Sequence, residues 1–425
     1  MGTFSHNADP ACSRNNWNSK ADNATGPTFD KATFAPSSLN VTQWFDSITA
    51  LGAKNAVLTA KHGCGFLLWP TQATFPNNTG KRGYGYHTDY DLVRDFQQVA
   101  TAANVGYGYY YSIQKNFYLC RGFAGDNTCL DEVLEHQVNV TDAEYHDIVT
   151  QHVTELWTHY GDFAEIWVDS ALQGFGDLMV KLQPNAAGTP AHPRFWCGTE
   201  SGHPSRDVGG GSVWQTGFGH HGDRASTQWV DKFCDPQLFR DHVWFWEKDR
   251  AVRSLEEMIP IYHDIVGRGM IMELDFAINR EGLVDPTHEQ VYRALGNWVK
   301  ECYGNPIASI RNVSGGYTYQ LAVPRGSYFD RVMIEEDVSR GQRIRNYTLS
   351  ISVKDESVAH AIVLLSNGTS VGRKRIHIFD QGRLWASAAD TILTLEISEA
   401  IAPPQIKLFG VYAPCYPQSM EQAQE

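Results

Sequence analysis

No run of about 18 consecutive apolar residues occurs in these 425 residues, so no segment is expected to cross a membrane as a helix. The nucleotide-binding signatures are missing as well. No G-x-G-x-x-G follows the first apolar run, and there is no phosphate loop. Without G-x-S-x-G there is no serine nucleophile elbow, and without H-E-x-x-H there is no helical zinc pair. Positive charge is scarce: 35 Lys and Arg stand against 48 Asp and Glu, a net charge of −13. That balance argues against a nucleic acid as partner. Residues 1–10 contain no apolar signal segment either.

Aromatic side chains are what the chain has in quantity, at 12% of residues with 12 Trp. A sugar site uses such ring faces, and so does a large aromatic core, and both readings stand at this point. The eight cysteines, Cys12, Cys64, Cys120, Cys129, Cys197, Cys234, Cys302 and Cys415, form no C-x-x-C pair and have no nearby His at zinc spacing. No metal is therefore expected. Cys120 and Cys129 bracket a Gly/Asp/Asn loop that suits a small disulfide ring, although spacing does not fix the pairing. Seven N-x-S/T sequons, at Asn23, Asn40, Asn77, Asn139, Asn312, Asn346 and Asn367, read as surface positions of a secreted protein. An even cysteine count agrees with an oxidising, extracellular compartment.

Between residues 40 and 305 short apolar runs alternate with amphipathic helices. Trp44, Phe45, Ile48 and Leu51 share a helical face that Gly52 ends, and Leu92, Val93, Phe96 and Val99 mark a second. Thr141 and Glu144 form a capping box for a third helix. Strands are expected over 55–60, 106–112, 165–168, 194–198 and 270–276, with an aromatic run over 243–246 as a further element. Helices follow over 254–266, interrupted by Pro260, and over 286–302. About six strands alternating with helices over roughly 300 residues suit a TIM-type (β/α) barrel. A doubly wound sheet is the alternative. After Pro306 the apolar period changes to two, at Tyr317, Tyr319, Leu321 and Val323 and again from Tyr347 to Val353. The division expected is a barrel over 1–305 and an antiparallel β-sandwich over 306–425.

Barrel enzymes carry their catalytic residues at the C-terminal ends of strands. The expected strand ends are His62, Tyr111, Asp169, Glu200, Glu247 and Asp275, a set rich in carboxylates. Asp169 directly follows Ile166, Trp167 and Val168, where a buried acid is costly unless it serves chemistry. It reads equally well as the N-cap of the next helix. Glu200 is either a general acid or a solvated loop carboxylate. His62 is either a sugar ligand or a satisfied core histidine.

Five segments stand in order along the chain. They are Ala60-Lys61-His62-Gly63-Cys64-Gly65-Phe66-Leu67-Leu68-Trp69-Pro70, then Glu165-Ile166-Trp167-Val168-Asp169-Ser170, then Gln183-Pro184-Asn185-Ala186. Trp196-Cys197-Gly198-Thr199-Glu200-Ser201-Gly202 and Val266-Gly267-Arg268-Gly269 complete the set. Together they resemble the α-L-fucosidases of glycoside hydrolase family 29, in particular the fungal and plant-like members. The first is similar to that family's A-K-H-H-D-G-F-x-L-W-P, the second to E-[IV]-W-x-D-G and the fourth to W-x-G-[DN]-E-[AS]-G. Phe329-Asp330-Arg331-Val332 and Gly341-Gln342-Arg343-Ile344 resemble the family's C-terminal sandwich.

The resemblance implies a retaining exo-glycosidase that removes terminal α-L-fucose from a glycan by double displacement. Asp169 would be the nucleophile and Glu200 the acid/base, with Glu247 in reserve. His62, Trp69, Tyr111 and Trp17 would contact the sugar, and no cofactor or metal is called for. Retaining chemistry asks for two carboxyls ~5–5.5 Å apart. Two departures stand out: Gly63 and Cys64 replace the family's second His and its Asp. Met1-Gly2-Thr3-Phe4-Ser5 resembles the turn after the family's first barrel strand, so that strand is expected to be missing from this sequence. A sugar-binding homologue without activity, or a retaining hydrolase for another sugar, are the rival readings.

Overall fold

The computed structural model describes residues 34–75, 82–120, 137–169, 174–204, 229–240, 243–355, 358–379, 384–385 and 390–415. Two compact units are present. The first comprises Met1–Pro193, Leu238–Val252 and Asp275–Arg293, and the second comprises Arg194–Gln237, Arg253–Leu274 and Ala294–Glu425.

In the first unit, helix α1 (Val41–Leu51) starts at Asn40, whose side chain accepts the Gln43 N–H. It stops at Gly52, where φ is 82°, a left-handed value glycine adopts without strain. Its buried face holds Val41, Trp44, Phe45 and Ile48. Strand β1 (Asn55–Lys61) follows, then helix α2 (Leu92–Ala102) and strand β2 (Gly106–Ser112). A two-residue parallel ladder joins β3 (Leu119–Cys120) to β4 (Val138–Asn139). The Thr141–Glu144 capping box is formed as expected and opens helix α3 (Asp142–His159), with β5 (Glu165–Asp169) next. Strands β1, β2 and β5 lie parallel in that order, with β2 in the middle. Gly108 allows this: a Cβ there would stand 1.9 Å from the Glu165 carbonyl oxygen. After β5 comes helix α4 (Phe175–Leu182).

The second unit opens with three short parallel strands, β6 (Arg194–Trp196), β7 (Asp231–Cys234) and β8 (Ile271–Met272). A disulfide joins Cys197 to Cys234. Helix α5 (Leu255–Ile265) has a Ser254–Glu257 capping box and runs through Pro260 without the expected interruption. Pro260 and Glu256, whose carbonyl loses its partner, are both on the exposed face, where solvent can reach the freed oxygen. Helix α6 spans Pro286–Tyr303, with its residues up to Arg293 counted in the first unit and those from Ala294 in the second.

Ten strands follow: β9 (Ala308–Ser314), β10 (Thr318–Val323), β11 (Tyr328–Phe329), β12 (Arg331–Glu336), β13 (Ile344–Asp355), β14 (Val358–Gly368), β15 (Arg375–Ile378), β16 (Leu384–Trp385), β17 (Asp390–Ala400) and β18 (Gln405–Tyr412). They form two four-stranded antiparallel sheets, β10-β17-β13-β14 and β15-β12-β18-β9, with β11 and β16 as a separate pair. Of the alternate residues expected to point inward, Tyr319, Leu321, Val323, Tyr347, Leu349 and Ile351 do so, whereas Tyr317 lies before β10 and is exposed and Val353 is half-buried. Tyr319, Leu321 and Val323 of β10 share one buried core with Leu349 of β13, Leu393 and Leu395 of β17, and Val332 and Ile334 of β12. A second disulfide, Cys302–Cys415, ties the end of α6 to the residues after β18.

The aromatic run over 243–246 is not a strand. The expected strand over 270–276 is confined to two residues, and Glu273 N–H reaches Cys234 O as the last ladder bond. Strands β7, β9 and β18 are not among the strands expected from the sequence. Cys120 is disulfide-bonded, but Cys129 lies outside the described residues, so the expected Cys120–Cys129 ring is not among the described disulfides.

Candidate active site

Alternation along β2 decides what surrounds Asp169. Register pairs Tyr110 with Trp167 and Ser112 with Asp169 across β2 and β5. The Tyr110 and Trp167 rings lie 4.9 Å apart on that shared face. The Tyr110 hydroxyl donates to Asp169 Oδ2 at 3.2 Å. Tyr109 and Tyr111 take the opposite face. Tyr109 packs edge-on against Phe163 and Tyr160, and Tyr111 Oη bonds His152 Nδ1 of α3 at 2.9 Å. Asp169 is half-buried and does not cap the next described helix, α4. The N-cap of α4 is Gly174, which offers no side-chain bond.

His62 follows β1 and stacks on Tyr110, with ring centroids 5.7 Å apart and planes at 19°. Phe245 meets it edge-on at 5.3 Å. Burial, reinforced by the Lys61 and Lys115 charges, pushes the His62 imidazole down to about 3. It is therefore neutral at ordinary pH, with one nitrogen donating and the other accepting. Lys61 beside it is fully buried. Its ammonium donates to the Ser112 and Lys115 carbonyls and sits 4.8 Å over the Tyr111 ring. That charge pins the end of β1 to the end of β2, directly across from Asp169.

Two expected sugar contacts are corrected. Tyr111 is 1% exposed and bound to His152, so it belongs to the layer between β2 and α3. Trp69 is 2% exposed, and its indole donates to Glu155 Oε2 at 2.9 Å. The same carboxylate accepts from Thr71 and the Gln72 N–H, so Glu155 organises this turn and draws Trp69 inward. The reserve acid Glu247 is not at a strand end. It precedes a turn, is half-exposed and pairs with Arg250. Trp17 lies outside the described residues.

Glu200 belongs to the second unit. It sits in a bend four residues past the end of β6, not at the strand end itself. Gln237 Nε2 donates to Glu200 Oε2 at 3.2 Å. The following loop is held by Gly202, at φ 84° against Ile261, and by Arg268 Nη1 donating to Pro204 O at 2.9 Å. Close by is a carboxyl that the sequence did not single out. Asp235 follows β7, is 4% exposed and accepts the Trp196 indole N–H at 2.7 Å. Burial pushes it up to about 7, opposed by the Trp196 bond and assisted by the Glu200 charge. Asp275, another expected strand-end acid, is buried and raised to about 6 by desolvation. No group of three or more His, Cys, Asp or Glu able to hold a metal occurs among the described residues.

The α-L-fucosidase family model matches residues 14–304, more than half of the chain. The chain belongs to the α-L-fucosidase family. This family, glycoside hydrolase family 29, includes relatives at low identity over most of their length. Alpha-L-fucosidase 1 of Arabidopsis thaliana is 24% identical over 440 residues, covering 89% of this chain and 79% of its own. The tissue α-L-fucosidase of Homo sapiens is 26% identical over 292 residues, covering 64% and 55%. A solved structure from Bacteroides thetaiotaomicron VPI-5482, assigned as an α-L-fucosidase, superposes with a TM-score of 0.74 at 26% identity, covering 93% and 92%. A Ruminococcus gnavus family-29 fucosidase solved with fucose shares the fold, with a TM-score of 0.70 at 19% identity, covering 94% and 89%. The α-L-fucosidase family is one of glycoside hydrolases, and the chain is an enzyme of that class.

Proposed function

We propose that this α-L-fucosidase works by retaining double displacement on terminal α-L-fucose of glycans, with Asp169 as nucleophile and Glu200 as acid/base. The observation that carries this reading is the Asp169 carboxylate at the end of β5. It is half-buried, does not cap α4 and is oriented by the Tyr110 hydroxyl. In the first step Asp169 attacks the anomeric carbon while Glu200 delivers its proton to the leaving oxygen. In the second, Glu200 takes a proton from water, which displaces Asp169 and restores the α configuration. Neutral His62 is suited to a sugar hydroxyl, and the Trp167 and Phe245 rings to the C6 methyl group that distinguishes fucose from most sugars.

The decisive experiment follows hydrolysis of an aryl α-L-fucoside by proton NMR. α-L-Fucose is expected as the first-formed anomer. First-formed β-L-fucose would refute retention. Turnover of another aryl glycoside but not the fucoside would refute the substrate, and fucose binding without turnover would favour a sugar-binding homologue.

The proposal includes the fold expected from the sequence, a TIM-type β/α barrel followed by a β-sandwich, divided near residue 305. It is supported by the parallel strands with helical connections and by the two antiparallel sheets around one core. It also includes secretion. None of the described helices is long and apolar enough to cross a membrane. The sequon residues Asn40, Asn139, Asn312, Asn346 and Asn367 are all exposed. Enzymatic deglycosylation of the protein secreted by a eukaryotic host is expected to lower its mass, and an unchanged mass would count against this part.

A further inference from the structure

Strands β6 and β7 run side by side, with Trp196 opposite Phe233 and Cys197 N–H donating to Phe233 O at 2.8 Å. The Cys197–Cys234 disulfide then locks the two chains together just past that pairing. Asp235 is the next residue on one chain, and Glu200 lies three residues further on the other. Both carboxyls therefore leave the same clamped sheet end. Each has a fixed partner. The Trp196 indole holds Asp235, and Gln237 holds Glu200 while Arg253 Nε donates to the Gln237 carbonyl at 3.0 Å.

Resting on the reading of Glu200 as acid/base, we infer that Asp235 is a positioning residue that sets the pH range over which Glu200 acts. The physical reason is repulsion between two carboxyls at one sheet end. Ionising both costs more than ionising either, so the last proton of the pair leaves late. The burial of Asp235 works in the same direction, and its carboxyl is raised to about 7. Glu200 faces it from the β6 side, and Arg253, ahead of α5, backs Gln237. Lys232 on β7 is lowered to about 8 by burial and by the Arg268 charge. A proton kept by the pair is available for the leaving oxygen in the first step, so the basic limb of kcat/KM reports it.

The test is the pH profile of kcat/KM for Asp235→Asn, with Glu200→Gln measured in parallel. Asn retains an oxygen that accepts the Trp196 indole N–H, so the sheet end stays built. The basic limb is expected to move down by about one pH unit, with kcat near its former value at the acid end. Trp196→Phe, at an exposed ring, removes the bond that eases Asp235 ionisation, so the limb is expected to move up. A basic limb unchanged in Asp235→Asn overturns the inference, whatever Trp196→Phe does. If Glu200→Gln keeps the wild-type profile and rate, the acid/base reading itself has failed. If Glu200→Gln is impaired while Asp235→Asn retains the limb, only the role of Asp235 has failed.

Discussion

Asp169→Ala is expected to lower kcat/KM on an aryl α-L-fucoside by at least about 10³-fold, which corresponds to ~4 kcal/mol of lost transition-state stabilisation. The loss follows from removing the only group that can form the covalent intermediate in the proposed mechanism. Azide fits the space left by the missing carboxylate and attacks from the same side. It should restore part of the turnover on an activated substrate and give β-L-fucosyl azide. Activity retained in Asp169→Ala, or no azide product of that configuration, would remove Asp169 from its role. The alternation along β2 supplies the internal controls. Tyr110→Phe removes the hydrogen bond to Asp169 and is expected to cost about tenfold in rate, about the worth of one hydrogen bond to a charged group. Tyr111→Phe removes only the bond to His152, so it should lower stability by about 1 kcal/mol and leave kcat unchanged.

Glu200→Gln is expected to cost about 10²–10⁴-fold on substrates whose leaving group needs protonation. The loss should shrink for a dinitrophenyl fucoside, which departs without a proton. The intermediate on Asp169 still forms there, and azide then intercepts it from the opposite side to give α-L-fucosyl azide. The opposite anomers from the two variants separate nucleophile from acid/base in one assay. Glu247→Gln should behave as wild type, because Glu247 is half-exposed and already paired with Arg250. A normal Glu200→Gln together with an impaired Glu247→Gln would reverse the assignment.

Local physics written in short stretches of chain was legible. The Thr141–Glu144 capping box, the Gly52 stop and the period-two strands of the C-terminal sheets need only neighbouring residues to form, and each was found as expected. Strand β7 was missed because four residues carrying Asp231 and Lys232 show no apolar run, and Asp235 was missed with it. The run over 243–246 misled because its aromatic rings are buried or half-buried by neighbours distant in sequence, as Phe245 is by His62. Trp69 and Tyr111 misled for a related reason. Motif position identifies a residue near a site but not the side of the backbone it faces.

The sequence by itself determined the family, the two kinds of sheet and the candidacy of Asp169 and Glu200, because motifs, caps and periodicity are properties of consecutive residues. Only tertiary structure decided which tyrosine of the run 109–111 attends Asp169, that Trp69 belongs to Glu155, and that Asp235 stands at the same sheet end as Glu200. Those outcomes depend on strand register and on desolvation by side chains far away in sequence, and neither is recorded in any local stretch of chain.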